Sequence, residues 1–147
     1  MVISIDVLGT PAPKGSNRAM VRGGFAVMVP GSSNVGQQRM KQWERCVRDA
    51  AREASVATMR EIPIRVAIVF RMPRPSGHFA KNGGLRPSAP GRPSVKPDID
   101  KLARATLDAL TGIVFDDDSR IVELALHKMY AVPGDEGARI VVQEWKL

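Results

Sequence analysis

Residues 2–8, VISIDVL, alternate apolar Ile3, Ile5 and Val7 with Ser4 and Asp6, the two-residue period of a strand with one buried face. PAPKGSN (11–17) interrupts regular structure with two prolines and a glycine and sets Lys14 on a loop. The Gly23-Gly24 pair then turns the chain into FAVMV, which predicts a small hairpin. From Gly36 to Ala54, Met40, Trp43, Val47, Ala50 and Ala54 recur at helical spacing behind the capping candidates Ser33 and Asn34. Trp43 is expected in the core of this longest helix. Its other face carries Arg39, Lys41, Arg45, Arg48 and Arg52, which suits water better than DNA phosphates. Ile64, Val66, Ile68 and Phe70 alternate with Arg65, Ala67, Val69 and Arg71 and predict a second main strand.

Regular patterning stops over residues 71–97, which hold six Pro, four Gly, six Lys or Arg and no acid. A loop this long is functional or disordered, so the segment is expected to be a basic arm that orders on nucleic acid, or else a plain mobile loop. Ile99, Leu102, Ala103, Thr106 and Leu110 then mark one face of a helix that Gly112 ends. Val122, Leu124 and Leu126 fall on one face of a strand within 120–130, and RIVVQEW forms another after the PGDEG turn. Strands and helices are intermixed. The expected fold is therefore α+β: one domain over 1–147, with a mixed sheet of about four to five strands flanked by two main helices.

Composition adds a partner class. The 147 residues are 44% hydrophobic and 25% charged, normal for a globular domain that builds its own core. No signal peptide or bilayer-length apolar run is apparent, so a cytoplasmic protein without a membrane partner is expected. One Cys and two His exclude a disulfide and a soft-ligand zinc site, leaving oxygen as the only ligand type for a metal. Net charge is +7, unevenly spread. Residues 1–97 carry 16 basic and 5 acidic side chains, and residues 98–147 carry 6 and 10. The first part is suited to a polyanion such as nucleic acid, or is simply a solvated basic surface. Expected DNA contacts are Lys14, Arg18, Arg71, Arg74, Lys81, Arg86, Arg92 and Lys96.

Into this basic chain KPDIDKL (96–102) sets Asp98 and Asp100, and Asp116, Asp117 and Asp118 follow. Pro97 places the first pair at a loop-to-helix junction, where one Asp serves as an N-cap. Two acids exceed that need, and five clustered carboxylates repel one another without a cation. A few Asp converging at the sheet's edge suit Mg²⁺, which takes one or two carboxylates plus waters and substrate phosphates. DDDS is otherwise a polar turn. Arg104 lies four residues from both Asp100 and Asp108, so structural pairing accounts for Asp108, while Arg104 or Lys101 is placed to offset charge on a phosphate. His127, alone on a strand, reads as structural.

The stretch KPDIDKLARATLDALTGIVFDDDSRIVEL, Lys96 to Leu124, closely resembles the core motif of the RusA family of Holliday junction resolvases, endonucleases of bacteria and their phages. PAPKGSNR and the basic Pro/Gly arm resemble that family's flanks. The resemblance implies that Asp98, Asp100 and Asp118 bind Mg²⁺, with Mn²⁺ a possible substitute, and that Asp117 is an auxiliary ligand. Arg104 stands where the best-known members carry a catalytic Lys, and Lys101 where they carry Asn. The additional Asp116 shifts the acidic pair by one possible position. It further implies a homodimer that binds four-way DNA junctions and nicks two strands symmetrically, leaving 5′-phosphate and 3′-hydroxyl ends. The competing reading is a DNA-junction binder without catalysis, whose acids only cap a helix and form a turn.

Overall fold

The computed structural model describes the backbone of every residue except 16, 31–33 and 56, and the side chains of all but 16–20, 22, 27–33 and 56. The elements in chain order are β1 (Val2–Leu8), β2 (Asn17–Arg22), β3 (Phe25–Pro30), α1 (Asn34–Ala54), β4 (Ile64–Met72), α2 (Ile99–Leu110), β5 (Ile121–Tyr130) and β6 (Gly137–Glu144). Strands β1, β6, β4 and β5 lie side by side in that order, with β4 and β5 parallel and the other pairs antiparallel. Strands β2 and β3 form the separate hairpin around Gly23-Gly24. The expected α+β fold is what forms, with four strands in the main sheet. Ser33, the other capping candidate, lies outside the described residues, and Asn34 is the first residue of α1.

Alternation along the strands selects the buried face. Ile3, Ile5 and Val7 of β1, Ile64, Val66, Ile68 and Phe70 of β4, and Ala138, Ile140 and Val142 of β6 all point to one side and are buried. Both helices cover that side, α1 through Trp43, Val47 and Ala51 and α2 through Leu102, Ala105, Ala109 and Leu110. Burying so much branched aliphatic surface is the main stabilising term. One polar link crosses this core: Trp43 Nε1 donates to Thr106 Oγ1 at 3.0 Å, and that hydroxyl donates to the Leu102 carbonyl at 2.9 Å. The indole N–H therefore has a partner where none would come from water.

Strand β5 departs from its sequence expectation. Val122 and Leu124 are 59% and 43% exposed, because β5 is an edge strand and a register irregularity beside Ile64 and Arg65 interrupts its pairing with β4. The 71–97 segment follows on from β4. Its first residues extend β4, and its path afterwards is set by the protein's own bonds: a 3₁₀ turn at Ser76–His78, a bridge between Phe79 and Leu85, and Arg86 N–H donating to the His78 carbonyl. Arg74 stacks 4.3 Å over the Tyr130 ring and donates to the Pro90 carbonyl, which ties the loop to β5. Aromatic and carbonyl partners thus meet two of the loop's cations, Arg74 and Arg86.

Strand β6 begins where there is no room for a side chain. A Cβ at Gly137 would lie 1.8 Å from the Val7 carbonyl oxygen and 2.9 Å from the Arg71 guanidinium. That guanidinium ties the sheet together by reaching Asp6 at 3.0 Å, the Asp135 carbonyl at 2.8 Å and the Val7 carbonyl at 3.3 Å. Gly137→Ala should lower stability by about 1–3 kcal/mol, the usual cost of overpacking against rigid backbone. Urea denaturation followed by circular dichroism measures this, and a midpoint equal to that of the native protein would refute the close approach.

Candidate active site at the two ends of α2

Two parallel strands need a crossover, and here α2 returns the chain from the end of β4 to the start of β5. Its N-terminus therefore lies by the C-terminal ends of β4 and β5, and its C-terminus by their beginnings. Side-chain and backbone bonds mark both ends. Lys128, late in β5, donates to the Val95 and Pro97 carbonyls at 2.7 and 2.9 Å, just before Asp98. At the other end, Met59 N–H donates to the Val114 carbonyl and Asp116 N–H to the Met59 carbonyl, next to the start of β4.

Asp98 is the N-cap residue of α2, yet its side chain makes no capping hydrogen bond. Its carboxylate instead faces Lys101 at 3.7 Å. Asp100, in the first turn, is exposed and receives no hydrogen bond from a described residue. The helix dipole favours both negative charges there and consumes no lone pair in doing so. These two carboxylates fit a hard cation such as Mg²⁺, which takes one or two of them and completes its shell with water and phosphate oxygens.

The second acidic cluster divides into different roles. Asp116 is held by Arg120 through two hydrogen bonds of 3.1 Å, and this guanidinium, foremost by hydrogen bonding, holds the carboxyl below its usual range. Asp117 accepts from the Ser119 backbone N–H at 2.9 Å, and that bond is the first cause of its lowered pKa; the Ser119 hydroxyl and the adjoining Asp118 carboxyl follow. Asp118 receives no N–H donor among the described residues. Asp116 is thus a structural acid, and Asp117 and Asp118 form the adjoining pair.

The structure does not bring the expected ligands Asp98, Asp100, Asp117 and Asp118 together in one chain. Among the described residues no three His, Cys, Asp or Glu side chains lie close enough to hold a metal ion. Within one chain the crossover sets the two groups at opposite ends of α2, whose 12 residues at 1.5 Å each span roughly 20 Å.

The cations also sort themselves. Arg104 is exposed, with no hydrogen-bond or ion-pair partner among the described residues. Asp108 pairs with Lys14 rather than with Arg104, and Lys14 N–H donates to the Lys101 carbonyl, so the 11–15 loop is strapped along α2. Of the expected DNA contacts, Arg71 and Arg74 are taken up by the protein partners described above, and Arg86 donates to the Phe79 carbonyl at 3.1 Å. Lys81, Arg92 and Lys96 are exposed without described partners, and the Arg18 side chain lies outside the described residues. Sequence reasoning passed over Lys128, because one lysine in an alternating strand gives no sign that its ammonium will hold the segment leading to Asp98.

Two comparisons bear on this arrangement. The family model of Endodeoxyribonuclease RusA matches residues 9–143. Uncharacterized protein YqaN of Bacillus subtilis (strain 168) is 26% identical over 129 residues, covering 88% of each chain.

The Asp116–Arg120 pair predicts a pH dependence of stability. A carboxyl whose folded pKa lies below its ordinary value of 3.8 stabilises the fold above that value, and the contribution is lost as pH falls through the depressed one. The melting-temperature difference between the native protein and Asp116→Asn should therefore be largest near neutral pH and shrink as pH falls below the ordinary value of 3.8. A difference that is flat across this range would mean that the ion pair contributes nothing to folding.

Proposed function

From the geometry above, in a chain that belongs to the RusA family of endodeoxyribonucleases, we propose a divalent-metal-dependent enzyme that resolves four-way DNA junctions by paired nicks in recombination and repair. The observation that carries the reading is the contrast among the acids. Asp108, Asp116 and Asp117 each accept a hydrogen bond from the protein, whereas Asp100 and Asp118 receive none from an N–H donor among the described residues and Asp98 makes only a 3.7 Å ion pair with Lys101. A protein that only bound DNA would gain nothing from bare carboxylates facing phosphates. Asp98, Asp100 and Asp118 would hold Mg²⁺, with Asp117 auxiliary; the cation supplies Lewis acidity for attack of water on a phosphodiester. Arg104, four residues along the helix from Asp100, and Lys101 would offset phosphate charge. Lys128 fixes the segment that carries Asp98.

Because the acids stand at opposite ends of α2, this reading requires a second copy of the chain. The free edge of β5 offers a surface for it, with Val122 and Leu124 exposed on a strand paired on one side only. Two β5 strands meeting antiparallel about a two-fold axis would set the start of one beside the end of the other. The partner's Asp118 would then approach Asp98 and Asp100, giving two composite sites and two nicks.

Three variants test these assignments on a synthetic four-way junction with Mg²⁺, with binding followed in Ca²⁺. Asp100→Asn and Asp118→Asn homodimers should bind and not cut. A mixed dimer of the two keeps one intact composite site and should regain single nicks; sites built within one chain would leave the mixture dead and refute the shared arrangement. If neither the native protein nor the variants cut while all bind, the acids are structural and the protein is a junction binder. Lys128→Met should fold, bind DNA and cut about 10–100-fold more slowly, with a raised Mg²⁺ requirement, as expected when a group that positions a ligand is lost. An unchanged Mg²⁺ requirement would remove Lys128 from the site.

A further inference from the structure

Asp98 and Lys101 line a groove of about 1260 Å³ whose other walls the nuclease reading does not use. Its walls are the 9–15 loop, one side of α1 from Val35 to Cys46, and the segments at 72–73 and 96–98. It exceeds the ~300–1,000 Å³ of ordinary small-molecule sites and therefore suits a length of polymer. Four cations line it, Lys14, Arg39, Lys96 and Lys101, of which Lys14 pairs with Asp108 and Lys101 with Asp98, the one acid among the described lining residues. Pro11, Pro13, Val35 and Pro73 give it apolar walls between those cations. Cations that can track a backbone, alternating with apolar surface that can take base faces, are what single-stranded nucleic acid requires. A duplex is read by an element entering its own groove, whereas a concave channel within one small domain admits only a strand whose bases have left the stack.

Resting on the nuclease reading, we infer that this groove receives the unpaired strand flanking the scissile phosphate, and that Gln38 and Gln42 of α1 are specificity-determining residues that read its bases. Both residues line the channel, and their carboxamides can donate to and accept from base edges, Gln42 by giving up the 3.4 Å bond that its oxygen accepts from Arg45. Gln42 lies 3.9 Å from the Cys46 sulfur. The groove thus continues from the cleavage site along the loop that Lys14 and Asp108 strap to α2.

Cys46 is the only cysteine and lines the groove, so the unmodified protein carries its own probe. Its reaction with a small maleimide is followed in Ca²⁺, where nothing needs to be cut, against a four-way junction, a single strand and a blunt duplex, with binding measured in the same samples. With junction or single strand at about ten times its Kd, labelling should slow about tenfold, since only the unoccupied fraction reacts. Bound duplex should leave the rate unchanged. Gln38→Ala and Gln42→Ala should flatten the preference among junctions with permuted nucleotides at the cut while still nicking them. Labelling at the free rate on a saturated junction overturns the inference and leaves the nuclease reading intact, as does protection by duplex equal to that by single strand. Protection without any nicking removes the nuclease and keeps the groove as a strand-binding channel; binding to neither junction nor single strand overturns both.

Discussion

Parallel pairing of β4 with β5 is the constraint on which the rest of the molecule depends. Parallel strands cannot be joined by a tight turn, so the chain leaves β4, travels through the 73–98 loop and comes back along α2. That path decides three things together. It lays α2 on the sheet face that alternation had already made apolar, burying Leu102, Ala105, Ala109 and Leu110. It leaves β5 at an edge with Val122 and Leu124 uncovered. And it sets the acids before the helix and those after it a helix length apart.

Electrostatics then separates acids that look alike in sequence. Asp116, Asp117 and Asp118 are consecutive, but a bidentate guanidinium claims the first and a backbone N–H the second. At the other end of α2, the dipole and Lys101 stabilise Asp98 and Asp100 through the field rather than by occupying their oxygens. Lys128 completes that end by binding carbonyls and not carboxylates, so it adds positive charge and rigidity without neutralising a ligand. A carboxylate's availability is decided by where the nearest donor points, which spacing along the chain does not reveal.

The same distinction explains how much could be read in advance. Strands β1 and β4 and both helices follow from periodicity, because burial on one side imposes a period of 2 or 3.6 whatever the partners are. The motif between Lys96 and Leu124 marked the acids, and its Pro97 and Gly112 marked the ends of the helix between them. What escaped depends on contacts distant in sequence. Asp108 pairs with Lys14 across 94 positions rather than with Arg104 across four. Arg71 and Arg74 look like surface cations, but a carboxylate with carbonyls takes up the first and an aromatic ring with a carbonyl the second. In β5 the apolar alternation was legible, and its exposure was not, since an edge position depends on the sheet order.

That exposure and the divided acids have a common consequence under the proposed function. A chain carrying only part of a metal site is a poor nuclease alone, which guards a cell's duplex DNA from a freely diffusing monomer. If the surface that joins two copies is also the one that completes the sites, both are assembled by a single event and related by one two-fold axis. Paired, symmetric nicks then need no separate mechanism of coordination. On this view Val122 and Leu124 are apolar at an edge because covering them is what turns the catalytic groups into a site.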